Sequence, residues 1–366
     1  MSNNKRNTIT GGLRNYLQLV SKELRIRKNE RSKFFLEAKK HFEEVGASHP
    51  GSLEDYKQLL YKHRFDYNEY MRYKLYSLSE IERDDVISSF EMNTIYRKFV
   101  DNRIRRIFTD KALCLQLFDK WVHRKWCCAR NVSFEHFVEM LSSYDCIFKP
   151  LKGECGEGIF FTKKNEEKDL ESLYKKCVEN DYLIEECIRN CDEIAQFHPS
   201  SLNTIRVTTM QNGKNCKFIG AALRMGIGGS SIDNVSAGGI SVPIKITTGT
   251  VDMNGFDAHG NEYERHPTTN IVFKGTKIPH WDKLLQMCKE ASTIVPDAYF
   301  TGWDLCVLPS GEIELIEANS APNIRVLQYV PGYSKKSIVK QAGEELLNIN
   351  LLKLISVWSA SYRKFD

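Results

Sequence analysis

The sequence predicts a protein of the α+β class, and three observations support that prediction. Residues 1 to about 140 place most of their apolar side chains at helical spacing. From about residue 145 onward, short runs of β-branched and aromatic residues alternate with Gly and Asn, which is typical of strands joined by turns. Two turn signals, Asn212-Gly213 and Pro309-Ser310-Gly311, lie between such runs and predict β-hairpins.

Length and composition bound the class of protein further. The 366 residues exceed the ~250–300 at which a single hydrophobic core usually stops growing, so more than one domain is expected. No apolar run approaches the ~20 residues that span a bilayer, and the N-terminal sequence lacks the apolar core of a signal peptide. The eleven cysteines are scattered and match no CxxC spacing, which predicts reduced thiols in a cytoplasmic protein.

The first forty residues combine an apolar stripe with many lysines and arginines. The stripe has helical spacing and consists of Leu13, Tyr16, Leu17, Val20 and Leu24. A helix of this kind usually docks on its own domain with a solvated basic face; the alternative is peripheral contact with an anionic membrane or with nucleic acid. No RNA-binding signature is present, so no nucleic acid partner is expected. Farther along, Ser52 precedes a periodic run and is predicted to cap a helix.

A glycine-rich stretch, IFKPLKGECGEGIFFTKK, predicts a hairpin whose tip covers a phosphate group. Gly153, Gly156 and Gly158 form a loop whose backbone amides would surround phosphate oxygens. A strand-like run follows the loop, where a Rossmann fold or a P-loop requires a helix. Lys149 precedes the glycines, whereas the essential lysine of protein kinases follows them. Glycine-rich hairpin tips also occur in proteins that bind no nucleotide, so the loop alone does not decide between the two.

Acidic residues interrupt both apolar runs of GWDLCVLPSGEIELIEAN. With the turn centred on the Ser-Gly pair, Asp304 and Glu317 face each other across the hairpin, with Cβ atoms about 5 Å apart. Asn319 projects from the same face, opposite Gly302. Two carboxylates so close need a cation or a proton between them, and an all-oxygen set suits Mg²⁺ or Mn²⁺ better than zinc. The alternative is an edge hairpin whose charges point into water, and a bulge would change the pairing.

The order of these motifs resembles the ATP-grasp superfamily. The lysine and glycine flap comes first, then the acidic apolar stretch YLIEECI, an arginine-containing strand in SLNTIRVTT, and last the D-x12-E-x-N pattern of the hairpin. Over roughly residues 100 to 330 the chain looks most like the sugar-transfer-associated branch, found with polysaccharide biosynthesis genes. The resemblance implies an ATP-grasp fold, with two α+β subdomains gripping ATP, preceded by a mainly helical N-terminal region.

The implied boundaries divide the chain into three parts. Residues 1–100 form the helical N-terminal region, 101–340 the ATP-grasp domain, and 341–366 a C-terminal helix. Within the ATP-grasp domain, the resemblance implies a nucleotide lid subdomain at 145–195 and a metal and substrate subdomain at 196–340.

The resemblance also implies ligands, ATP with Mg²⁺ or Mn²⁺, and roles for matching residues. The groups that contact the phosphates are Lys111, Lys149 and the flap glycines Gly153, Gly156 and Gly158. The adenine hinge, acting largely through backbone groups, corresponds to Glu185, Glu186 and Ile188. The ribose hydroxyls are held by Glu193, with Asp192 as the other candidate. The metal ligands are Asp304, Glu317 and Asn319.

Two arginines complete the implied active site. Arg206 and Arg224 face the transferring phosphoryl group, with surface ion pairing as the alternative role for both. Several ligases of the superfamily carry an arginine two residues before the first metal aspartate, where this chain has Gly302. Arg206, Arg224 or Arg325 is therefore expected to supply that positive charge.

The activity implied by the resemblance is ATP-dependent carboxylate–amine ligation through an acylphosphate. The expected partners are a small-molecule or glycan-linked carboxylate and an amine acceptor, with the product entering a surface polysaccharide. Two alternatives are a small-molecule or sugar kinase and a nucleotide-regulated, non-catalytic component of a polysaccharide assembly complex.

Overall fold

The computed structural model describes residues 31–151, 157–230, 233, 235, 238–328 and 335–350. The N-terminal part is helical: residues 31–45 form α1, followed by α2 (Leu53–His63), α3 (Tyr67–Arg72), α4 (Glu80–Asp85), α5 (Ser89–Phe99), α6 (Asn102–Thr109) and α7 (Lys111–Leu117). The remaining helices are α8 (Phe134–Ser143), α9 (Leu170–Glu179), α10 (Asp192–Ala195), α11 (Trp281–Ser292) and α12 (Lys336–Leu347). Across these ranges no helix is both long and apolar enough to cross a lipid bilayer.

Side-chain caps define where the N-terminal helices begin. Ser52 Oγ accepts a hydrogen bond of 3.1 Å from the Asp55 backbone N–H, which confirms the predicted cap of α2. At α5, Ser88 and Glu91 form a reciprocal capping box, in which each side chain bonds the backbone N–H of the other. The predicted apolar stripe from Leu13 to Leu24 lies outside the described residues.

The described residues contain two sheets, and the smaller one has four antiparallel strands. Its strands are β1 (Trp126–Cys128), β2 (Cys146–Pro150), β3 (Phe160–Thr162) and β4 (Tyr182–Glu186), in the order β1-β4-β2-β3. Side chains from α8, α9 and the sheet share one buried cluster, represented by Phe137, Cys177 and Phe148. The hairpin predicted around the glycine loop is confirmed as β2–β3. Strand β1 lies in the segment that was predicted to be mostly helical. The sequence did not predict this strand, because three residues are too few to show the alternation of a strand.

The larger sheet has seven antiparallel strands. Its strands are β5 (Thr204–Gln211), β6 (Cys216–Met225), β7 (Ile240–Ile244), β8 (Gly255–Phe256), β9 (Glu262–Tyr263), β10 (Phe300–Val307) and β11 (Ile313–Asn319), in the order β11-β10-β5-β6-β7-β8-β9. Both predicted hairpins are confirmed, β5–β6 around Asn212-Gly213 and β10–β11 around the Pro-Ser-Gly turn. Helices α11 and α12 contribute to the core of this sheet, for example through Leu284 and Val339, which are fully buried.

Helices α5 and α6 of the N-terminal part belong to the same core. Met92 and Ile95 of α5 and Phe108 of α6 belong to the buried cluster that contains Trp303 of β10. Tyr96 Oη donates a 2.5 Å hydrogen bond to the carbonyl of Pro322, in the loop that follows β11. The helical region is therefore packed on the large sheet and holds the loop after its edge strand.

A fragment lacking the helical region is expected not to fold. Residues 101–366 without the rest would expose the sheet surface that α5 covers, and each large buried apolar side chain contributes about 1.5–3 kcal/mol. We expect the fragment to aggregate on expression, while the full chain remains soluble and unfolds cooperatively. Solubility and circular dichroism of the two proteins test this, and a folded, monomeric fragment would contradict it.

Candidate functional site

The acidic side chains of the β10–β11 hairpin lie as the sequence predicts. Asp304 is opposite Glu317, and Gly302 is opposite Asn319. Residues directly opposite each other in an antiparallel pair point to the same face, and alternate residues along a strand share that face. Asp304, Glu317 and Asn319 therefore form one group on one face of the large sheet.

A β-bulge in β11 sets this pairing. The register shifts between Asp304 and Leu305, so that Leu305 pairs with Leu315 and Ile316 has no partner on β10. Because of the extra residue, Glu314, which is opposite Cys306, points to the same face as Glu317. In a regular strand residues 314 and 317 would point to opposite faces.

Two arginines neutralise Asp304. Arg206, directly opposite on β5, donates from Nε to Oδ1 at 2.5 Å and from Nη2 to Oδ2 at 2.7 Å. Arg224 Nη2 lies 3.2 Å from Oδ1. Asp304 is 2% exposed, and burial alone would raise the pKa of its carboxyl, but Arg206 and Arg224 bring that pKa below its ordinary value.

Gly302 leaves room for Arg206. A Cβ atom at this position would lie 2.6 Å from Pro322 Cβ and 3.4 Å from Arg206 Cδ, so no larger residue fits without displacing one of them. The structure thus brings Arg206 and Arg224, two of the three predicted arginines, to the aspartate. Arg325 instead donates a 2.9 Å hydrogen bond to Ser89 Oγ.

Glu317 differs from Asp304 in its electrostatics. Its side chain is half-buried. Burial and the neighbouring Asp304 raise the pKa of its carboxyl above the ordinary value, although Arg206, Lys111 and Lys149 act in the opposite direction. A cation bound beside Glu317 would stabilise the charged form of this carboxyl.

The donor set fits a magnesium ion that is shared with a phosphate. The described residues contain no cluster of three His, Cys, Asp or Glu that would enclose a metal by itself. The hairpin offers two carboxylates and one amide oxygen, and Mg²⁺ usually takes only one or two protein carboxylates together with water and phosphate oxygens. A carboxylate has about four acceptor positions, so Asp304 would keep its arginines while it binds a cation.

A pocket beside the hairpin brings four of the predicted residues together. It is lined by Lys111, Lys149, Glu185 and Glu317, together with Phe108, Cys114, Leu115, Leu183 and Ile316. Lys111, at the start of α7, donates a 3.1 Å hydrogen bond to the carbonyl of Pro150. The pocket therefore combines two cationic side chains, two acids and an apolar wall.

The apolar lining of the pocket was not predicted, although the sequence contains a signal for part of it. Cys114 and Leu115 follow Lys111 by three and four residues, the spacing that places side chains on one helix face. Leu183 and Ile316 are on the strands that supply Glu185 and Glu317. Phe108 gives no comparable signal, because it belongs to the preceding helix.

Glu185 is a buried ion-pair partner. It is 1% exposed and forms ion pairs with Lys149 of β2 and with Arg124, whose role was not predicted from the sequence. Burial alone would raise the pKa of the Glu185 carboxyl, but Arg124 and Lys149 lower it to about 2. The backbone of Glu185 pairs with β1 and β2 on either side, so its contribution to the pocket is made by the side chain.

Other predicted residues are not part of the pocket lining. Glu186 Oε2 accepts a hydrogen bond of 3.0 Å from the Lys125 backbone N–H. Ile188 is half-buried, and Asp192 and Glu193 are exposed on α10. Their roles in adenine and ribose recognition stay predictions.

The flap is described only at its ends. Gly153 and Gly156 lie outside the described residues. Gly158 has φ +73°, in the left-handed region, and a Cβ atom there would lie 2.9 Å from Pro150 Cγ. Glycine is thus required on the returning side of the hairpin, while the phosphate-binding role of all three glycines stays a prediction.

Comparison with known proteins found a matching family and similar solved structures. Residues 91–343 match the family described as sugar-transfer associated ATP-grasp. No curated protein sequence matches the chain significantly.

Similar solved structures include an N5-carboxyaminoimidazole ribonucleotide synthetase in complex with ADP (11% identity, TM-score 0.40, covering 60% of this chain and 46% of that one). They also include the ATP-grasp ligase PsnB with minimal precursor, Mg and ADP (14%, 0.40, 67% and 62%). A third is the D-alanine-D-alanine ligase from Coxiella burnetii (12%, 0.38, 71% and 61%). The chain thus spans about half to three-fifths of these proteins.

Proposed function

The chain belongs to the sugar-transfer associated ATP-grasp family, and we propose that it is an ATP-dependent ligase that joins a carboxylate to an amine. The observation that supports this most strongly is the arrangement around Glu317. This acid lines one pocket with Lys111 and Lys149, and it is opposite Asp304 on the neighbouring strand. The predicted phosphate-binding cations therefore lie next to the predicted metal-binding oxygens.

The proposed reaction has two steps. A free carboxylate is a poor acyl donor because its leaving group would be an oxide ion. A carboxylate oxygen of the donor first attacks the γ-phosphorus of ATP, and ADP leaves to give an acylphosphate. The amine then attacks the acyl carbon and loses a proton, the carbon–oxygen bond to phosphate breaks, and an amide and free phosphate are released.

The residues of the chain would act by holding charge in place. Lys111 and Lys149 would contact phosphate oxygens as point charges. Arg206 and Arg224 would stabilise the charge that spreads over the oxygens of the transferring phosphoryl group. Asp304, Glu317 and Asn319 would hold magnesium, which neutralises phosphate charge when it is bound. The β2–β3 hairpin would exclude water from the acylphosphate.

The description of the family associates it with sugar transfer, so the proposed donor is a uronic acid or an amino acid, and the product enters a surface polysaccharide. Peripheral contact of the basic N-terminal segment with an anionic membrane stays the alternative to docking on its own domain.

A product assay tests the proposal and separates it from the two alternatives. Purified protein is incubated with ATP, Mg²⁺ and a panel of uronic acids and amino acids, with and without amines. Ligation predicts ADP, free phosphate and amide in equal amounts. ADP formed without free phosphate, together with a phosphorylated substrate, would identify a kinase. Binding of ATP without turnover of any pair would favour the non-catalytic alternative.

The affinity for magnesium is expected to fall at mildly acidic pH. The raised pKa of the Glu317 carboxyl means that a proton remains on the metal-free site at a higher pH than on an ordinary glutamate. Because a ligand carboxylate must be deprotonated, Mg²⁺ and protons compete. We expect the Mg²⁺ half-saturation of ADP binding to rise as the pH falls from about 8 to about 5, beyond the change measured for ADP alone. A Mg²⁺ half-saturation that changes with pH no more than the binding of ADP alone would contradict this prediction.

A further inference from the structure

Arg124 is a buried arginine that connects the two sheets. It lies just before β1 and is 5% exposed. Its guanidinium donates from Nε and Nη2 to one oxygen of Glu185, on β4 of the small sheet. It donates from Nη1 to Glu314, on β11 of the large sheet. Both acids are almost completely buried, with exposures of 1% and 0%.

The remaining donors of Arg124 bind the backbone at the β-bulge. Nη1 donates to the carbonyl of Leu315 at 2.6 Å, and Nη2 donates to the carbonyl of Ile316 at 3.2 Å. All five N–H groups of the guanidinium thus have an acceptor. Ile316 is the extra residue of the bulge, and it is the bulge that places Glu317 opposite Asp304. Arg124 therefore contacts the backbone whose conformation sets the position of a predicted metal ligand.

On the small sheet, Arg124 is connected to Lys149 through Glu185. Arg124 bonds one oxygen of Glu185, and Lys149 forms an ion pair with the other. Lys149, Glu185 and Glu317 all line the pocket. One guanidinium thus reaches the predicted phosphate lysine through a carboxylate on one side, and the predicted metal acid through the bulge on the other.

We propose that Arg124 is a positioning residue, which sets Lys149 and Glu317 at the separation required by a magnesium-bound nucleoside di- or triphosphate. The proposal rests on the proposed function for the identity of the ligand. A purely structural role, in which Arg124 only neutralises two buried acids, requires charge but no fork. The positioning role requires the planar fork, because only a fork reaches two carboxylates and two carbonyls at once.

Arg124→Lys separates these roles because lysine keeps the charge and loses the fork. We expect folded protein whose Mg²⁺ half-saturation in ADP binding rises about 10- to 100-fold, as is usual when the support of a metal ligand is lost. ADP affinity measured in EDTA should also fall, because Lys149 is displaced. Calorimetric titration with ADP and Mg²⁺ measures both quantities without any turnover.

Arg83→Lys is the matched control. Arg83 donates a 2.6 Å hydrogen bond to Asp55 within the helical region, and both side chains are half-buried. The Arg83→Lys substitution should lower the melting temperature but leave the Mg²⁺ half-saturation of ADP binding unchanged. If Arg124→Lys changes only the melting temperature as well, the positioning role is wrong.

Glu314→Gln decides the matter if Arg124→Lys does not fold. It keeps the shape of the side chain and leaves Lys149 and Glu185 intact, but weakens the bond of Arg124 to β11. A several-fold rise in Mg²⁺ half-saturation is expected, and an unchanged value in folded protein would overturn the inference. Wild-type protein that binds no ADP at all would instead refute the proposed function, so the two failures are distinguishable.

Discussion

Glu317→Gln should abolish ATP-dependent ligation without lowering the stability of the protein. The substitution removes a metal ligand, and metal-ion stabilisation of transition-state charge amounts to several kcal/mol, which corresponds to a loss of at least about 100-fold in rate. The raised pKa of the Glu317 carboxyl means that its charged form is disfavoured in the metal-free protein. Replacing it by a neutral amide of the same shape should leave the free energy of unfolding unchanged or slightly increased.

The control for this variant lies in the same hairpin. Glu312 is exposed and follows the turn, so Glu312→Gln should change neither ligation nor unfolding. Turnover is measured as free phosphate released with the best substrate pair, and stability by urea denaturation in EDTA. Glu317→Gln protein that ligates at the wild-type rate would refute the metal site, and a large loss of stability would show that the charge of Glu317 is structural.

The hairpin shows how far sequence reasoning reaches. The predicted partners of Asp304 and Gly302 are confirmed, but the predicted turn centre is wrong. The loop has three residues, 309–311, with Gly311 at φ +82° and Leu308 bonded to Glu312. The residue pairs next to the turn are therefore shifted by one position from the predicted register. Beyond the bulge at Ile316 the observed pairs agree with the prediction again. No residue type in this stretch reveals either feature alone.

Helix caps, hairpins and the change from helix to strand follow from local residue preferences, so the sequence predicts them. The identity of the partner of a buried charge depends on tertiary packing, and Arg124 was missed for this reason. A signal was nevertheless present, since Glu185 and Glu314 stand inside apolar strands. A buried carboxylate requires a buried cation or a proton, but the sequence does not say which arginine supplies the charge.

Arg206→Met should be among the most destabilising single substitutions in the chain. Among the described residues it would leave Asp304, at 2% exposure, with the more distant Arg224 as its ion-pair partner. Removal of one partner from a buried ion pair typically costs about 3–5 kcal/mol, because the other charge stays buried without compensation. Asp304→Leu should cost a similar amount for the converse reason. Urea denaturation of both variants measures these losses.

The double variant Arg206→Met/Asp304→Leu should be more stable than either single variant. With both charges gone, apolar side chains fill the site, and replacement of a buried ion pair by apolar residues is often neutral or stabilising. Strict additivity of the two losses would contradict this coupling. The double variant should nevertheless release no phosphate, because it lacks both a metal ligand and a phosphoryl-facing arginine. Recovered stability without recovered activity would show that the chain keeps this buried pair for its chemistry and not for its fold.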